Sequence, residues 1–185
     1  PTTHVERTAE ALGRAIAADE QHVVAAAAPT APTMYLGVDG TGLPMRAAEL
    51  TGRAGKQADG SAKTREVKLV TVWTAEGHDN EGIAVRDQGS VTYSAALESA
   101  ASHDTATAPS AFAQRVDREA QRRGFDHAPR RVVLGDGAAW IWNLADELFP
   151  GAIQIVDLFH AKQHLSDVAK AIYGPGTDLS RQWAR

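Results

Sequence analysis

Val5, Ala9, Leu12 and Ile16 recur at steps of four, three and four, which predicts a helix over residues 4–28 with one apolar face. Pro29 and Pro32 must end it, so a linker and a boundary fall at about residue 30. The run 34–38 is short, apolar and closed by Asp39-Gly40, as a buried strand ending in a turn would be. Residues 43–50 are predicted as a returning second strand and 51–64, polar and glycine-bearing, as a hairpin loop. Residues 67–73 are rich in Val, Leu, Thr and Trp and give the third strand.

Residues 76–89 are charged and glycine-bearing, hence surface loop, and 93–101 are predicted as a short helix. In 111–123, Phe112, Val116 and Ala120 share a helix face, arginines occupy the rest, and Gly124 suits the C-cap. Next come a strand at 132–134 closed by a second Asp-Gly pair, a helix at 138–149 stopped by Pro150, and a strand at 153–156. A helix at 158–172 is stopped by Gly174-Pro175, and 179–185 begin another with no stop signal after it. A hairpin-connected start followed by strand–helix–strand–helix predicts an α/β fold: a mixed five-stranded sheet flanked by helices, preceded by an N-terminal helix.

Composition narrows the chemistry. The 185 residues contain no cysteine, which removes disulfides, cysteine zinc sites, iron–sulfur clusters and a thiol nucleophile. With 19 Lys and Arg against 23 Asp and Glu, the net charge is −4, so any nucleic-acid contact needs local basic patches or metal ions. No apolar run approaches the ~20 residues of a membrane span, and the polar opening segment has no secretory core, so nothing argues for export.

Two strands end alike, MYLGVDG at Asp39 and VVLGDG at Asp136. A carboxylate at the C-terminal edge of a buried strand sits at the mouth of an open α/β sheet, where ligands bind. Side by side, two bare carboxylates repel, and a divalent cation such as Mg²⁺ removes that conflict. The plainer alternative is that each Asp-Gly is only a turn.

In VDLFHAKQHL, Asp157 is placed to cap a helix, and His160 and His164 share one helical face. A zinc site from these three is conceivable, but no HExxH glutamate lies between the histidines. Asp157 and His160 instead flank the same sheet edge as the two aspartates. Arg53, Lys56, Lys63, Arg65 and Lys68 form a basic loop able to meet phosphates, or simply a solvated hairpin. Arg115, Arg118, Arg122 and Arg123 make a second basic surface, an exposed helical face in its plain reading. Trp140 belongs with the apolar face of its helix, whereas Trp142 points elsewhere and is a weak candidate for base stacking.

VDGTGLPM, GRAGK, TREVKLVTVW and VVLGDGAAWIWNLADELFPGAIQIVDLFHAKQHL together resemble bacterial insertion-sequence transposases of the ISKra class. The likeness runs in order over about residues 30–175. It implies a ribonuclease-H-like catalytic core over 31–185, after an N-terminal helical segment and linker over 1–30. It also implies DDE-type chemistry, in which two Mg²⁺ or Mn²⁺ ions support cleavage of double-stranded DNA at transposon ends and strand transfer into target DNA. The first two catalytic acids fall on Asp39 and Asp136, and Asp157 and His160 match a DxxH-type segment. The third acid, a glutamate beyond a helical insertion, has no match here, so the core is expected to be C-terminally incomplete and this chain inactive in transposition. The resemblance further implies homo-oligomers in the DNA complex, a bacterial cytoplasm and association with the nucleoid on DNA. Two other readings compete: a catalytically inactive DNA-binding remnant, and a ribonuclease-H-like nuclease whose further acids would be Glu66 and Glu147.

Overall fold

The computed structural model describes residues 2–20, 22, 29–52, 58, 60, 63–98 and 109–183. The helix expected over 4–28 is α1 (Thr2–Glu20); the end of that span lies outside the described residues. Its apolar stripe is at the surface, with Val5, Leu12 and Ile16 all exposed.

The first strand, β1 (Thr33–Pro44), is far longer than the 34–38 expected. It runs straight through Asp39-Gly40, because residues 39–44 find antiparallel ladder partners in Thr64–Leu69 of β2 (Thr64–Trp73). The strand expected at 43–50 is therefore not formed. Leu43 and Pro44 finish β1, and Ala47–Leu50 coil into a single turn, α2. The loop between β2 and the next main strand carries a two-residue ribbon, β3 (Gly77–His78) with β4 (Ala84–Val85).

The helix expected at 93–101 is corrected to a strand, β5 (Thr92–Ala96). Its β-favouring Thr92 and Tyr93 pair with the free edge of β2, and backbone groups on that edge need partners more than an alanine run needs a helix. The helix α3 (Ala111–Arg123) starts on a Ser110 cap whose hydroxyl accepts from Ala113 N, and ends at left-handed Gly124. A 3₁₀ turn (Phe125–His127) leads into β6 (Arg130–Gly135), then α4 (Ala139–Leu148), β7 (Ile153–Val156), α5 (Leu158–Tyr173) and α6 (Asp178–Trp183).

The chain is thus α/β: a five-stranded mixed sheet in the order β5-β2-β1-β6-β7, flanked by helices and preceded by a helix. β6 lies parallel to β1, and β7 parallel to β6, as expected. Strand alternation splits β1 in two. Met34, Leu36 and Val38 are buried under α3 and α4 with Val70, Val72, Val133, Phe112, Val116 and Ile141. Each such side chain contributes about 1.5–3 kcal/mol on burial, and Phe125 and Phe149 close the layer edge to face at 5.0 Å. Tyr35, Gly37 and Asp39 belong to the other face.

The arginines of α3 do not form a free basic surface. Arg115 is buried: its guanidinium grips Glu98 through Nε and Nη2 at 2.9 and 2.8 Å and reaches Ser94 Oγ at 2.8 Å. The bidentate pair lets the charge sit beneath β5. Arg122 donates to the Asp19 carbonyl at 2.7 Å, tethering the end of α1.

Candidate active site

The two Asp-Gly pairs are not equivalent. Gly137 has φ +98°, so Asp136-Gly137 is a true turn, in which Asp136 Oδ1 accepts from Ala138 N at 2.8 Å. Asp39 is a strand residue whose Oδ1 accepts from Gly40 N at 2.7 Å. Even so, the parallel register Gly37↔Leu134, carried two residues on, brings Asp39 level with Asp136. Neighbouring strands lie about 4.8 Å apart, so adjacent-strand geometry alone puts these backbones side by side.

Both aspartates line a cavity of about 340 Å³ on the face of the sheet opposite α3. Its floor is Gly37, Leu69, Thr71 and Trp73, and its far wall is Asp157, Phe159 and His160. The floor is low because Gly37 has no side chain: a Cβ there would lie 2.9 Å from Thr71 Oγ1 and 3.0 Å from the Trp73 ring.

Asp157 caps α5, with Oδ1 accepting from Phe159 N at 2.9 Å and His160 N at 3.2 Å. These bonds, that from His160 N foremost, hold its carboxyl below the usual carboxylate range. His160 Nδ1 lies 3.3 Å from the same oxygen. On all three aspartates these bonds end on Oδ1, so Oδ2 remains an acceptor. Hard oxygen donors of this kind suit a hydrated Mg²⁺ or Mn²⁺, with substrate oxygens completing the shell. Among the described residues, however, no three His, Asp or Glu side chains are grouped to hold a metal ion. The Asp157–His160–His164 zinc set is therefore not assembled.

Other expected residues lie elsewhere. Glu66 sits beside Gly40 on the opposite face and is ion-paired with Lys68 at 2.5 Å; Glu147 is exposed on α4, outside the cavity lining. Lys68 drops out of the basic loop. It is buried, donates to the Glu98 carbonyl at 3.1 Å and lies over the Trp140 ring at 5.5 Å. Its place on the core-facing parity of β2 explains this. Lys63 is exposed and Arg65 half-buried, while Arg53 and Lys56 lie outside the described residues. Trp140 packs edge-on against Phe112, as a core residue should. Trp142 is half-buried and packs against the core.

Sequence reading missed Trp73 and Arg86 as cavity residues. Trp73 stacks on Tyr35 at 5.6 Å, and the Arg86 guanidinium lies over its ring at 4.4 Å. Period-two alternation from Leu69 through Thr71 to Trp73 was the available signal for the first. Nothing in the loop sequence announced the second.

Among the described residues no helix is long and apolar enough to cross a membrane. No protein-family model matches this chain, and neither does any curated protein or solved structure.

Proposed function

We propose that this chain carries the catalytic aspartates of a DDE-type DNA transposase on a ribonuclease-H-like sheet. The observation that carries the reading is that Asp39, within β1, and Asp136, just past the end of the adjacent parallel strand β6, come level in one cavity with Asp157 and His160. The motif resemblance to ISKra-class transposases supports it over exactly these segments.

On this reading Asp39 and Asp136 would hold Mg²⁺ or Mn²⁺. A bound pair of such ions would activate water and neutralise charge on the phosphodiester undergoing in-line displacement. Asp157 orients His160 through Nδ1, leaving Nε2 to exchange a proton with the attacking or leaving oxygen. Arg53, Lys56, Lys63 and Arg65 hold the DNA backbone, a salt-sensitive contact because it releases counterions. The working form is a homo-oligomer on DNA ends in a bacterial cytoplasm.

The absence of a three-member metal group among the described residues favours a second reading, a DNA-binding protein without cleavage. Titration with Mn²⁺, followed by a nicking assay on duplex DNA, separates the two. The transposase reading expects weak Mn²⁺ binding that Asp39→Asn and Asp136→Asn abolish, with traces of nicking and no strand transfer. Equal Mn²⁺ binding by wild type and both variants would overturn it and leave the DNA-binding reading.

A further inference from the structure

The loop joining β2 to β5 is pinned by one carboxylate. Asp87 accepts from Thr74 Oγ1, from Glu76 N at 3.1 Å and from Gly77 N at 2.8 Å, while Asp87 N donates to the Thr74 carbonyl at 2.9 Å. Ser90 adds a second tie, its hydroxyl lying 3.3 Å from both Thr74 N and Thr74 O. Arg86 stands between the β4 ribbon and this clamp, so its backbone is fixed where the loop passes the cavity.

Its side chain is exposed but lies against the cavity floor. The guanidinium lies 4.4 Å from the centroid of Trp73, whose ring is itself stacked on Tyr35. A guanidinium held over a ring by its charge still carries N–H donors, and these match the oxygens of a phosphate. Among the described residues Arg86 is the sole Lys or Arg lining the cavity, and it has no ion-pair partner. The same cavity is lined by Asp39, Asp136 and Asp157. An anion entering there meets three carboxylates, and Arg86 is the lysine or arginine of the described lining able to attract it.

We propose that Arg86 is a positioning residue that binds a backbone phosphate of the DNA strand occupying this cavity. The proposal rests on the reading of the cavity as a DNA site, and it names the contact that draws the strand in.

The test uses the full 185-residue chain and a random-sequence DNA duplex at fixed Mg²⁺, with affinity measured over a range of NaCl concentrations. Arg86→Ala should lower affinity about tenfold at low salt and flatten the slope of log K against log salt by about 0.9, one phosphate contact. Arg86→Gln, which keeps a planar stacking group without charge, should behave like Arg86→Ala and stands in for it if that variant misfolds. Arg86→Lys should restore the slope, which a merely structural role for the guanidinium would not do. Equal slopes for wild type, Arg86→Ala and Arg86→Gln would overturn the proposal. So would a slope change seen on an RNA duplex and absent on DNA. Failure of the metal-site reading registers separately, in Mn²⁺ binding that ignores Asp39→Asn and Asp136→Asn while the Arg86 effect persists.

Discussion

The two faces of the sheet are built from the same strands and could hardly differ more. On one, Met34, Leu36 and Val38 alternate inward and are sealed by α3 and α4. On the other, Gly37 and Asp39, from the same stretch of β1, line an open cavity with two further aspartates and one arginine, and Tyr35 stacks on the Trp73 ring that also lines it. The closed face holds the stability of the fold. The open face concentrates unlike groups that contribute little to it. A one-residue step along β1 separates the two duties, so a register slip would exchange them.

That division can be broken most forcefully from the closed side. Phe112 is fully buried beneath the sheet, and Phe112→Ala should cost about 3–5 kcal/mol, read as a lower urea midpoint. Gly37→Val attacks the open side where it is tightest. Its first added carbon meets Thr71 Oγ1 and the Trp73 ring within 3.0 Å, so the change should cost about 1–3 kcal/mol and alter tryptophan fluorescence.

A subtler probe is acid. Hydrogen bonds, Thr74 Oγ1 first, hold the Asp87 carboxyl below its ordinary value of 3.8. A depressed folded-state value means the clamp adds stability that is complete well above 3.8 and fades as pH falls through the depressed value. Asp87→Ala should therefore lower stability near neutral pH and shrink the difference from wild type in strong acid, as followed by urea midpoints against pH. Smallest of all, Asp39→Asn should move the midpoint by no more than about 0.5 kcal/mol, since the side chain is exposed. The same variant should lose Mn²⁺ binding, which would confirm that the open face serves chemistry rather than folding.

Much of the closed face was legible. The 3.6-residue spacing of Phe112, Val116 and Ala120 located α3, and apolar runs at 132–134 and 153–156 located two parallel strands. The errors came where one local signal had two meanings. Asp39-Gly40 reads as a turn until a ladder partner at Leu69 and Lys68 keeps it extended, whereas Asp136-Gly137 does turn. Tyr93 to Ala96 reads as helix by its alanines, and only the unsatisfied edge of β2 makes it a strand. Asp39 and Asp136 were legible as a pair because each follows an apolar run, and those runs lie side by side in parallel although β1 continues past Asp39. Arg86 was not, because its place depends on Asp87 reaching back to Thr74 across a loop.

The outer half of β1 has a kinetic consequence. Beyond Gly40 and Lys68 the sheet thins to two strands, Thr41–Pro44 against Thr64–Val67, with no third strand beside either among the described residues, and their side chains are mostly exposed. Amide hydrogens in that projecting ribbon should exchange with deuterium through small local openings, while those of Leu36 and Val133 await cooperative loss of the whole sheet. Arg65, one rung from its tip, and Lys63, just beyond it, therefore ride on an arm that breathes fast. Asp39 marks the point where that fast arm meets the slow body.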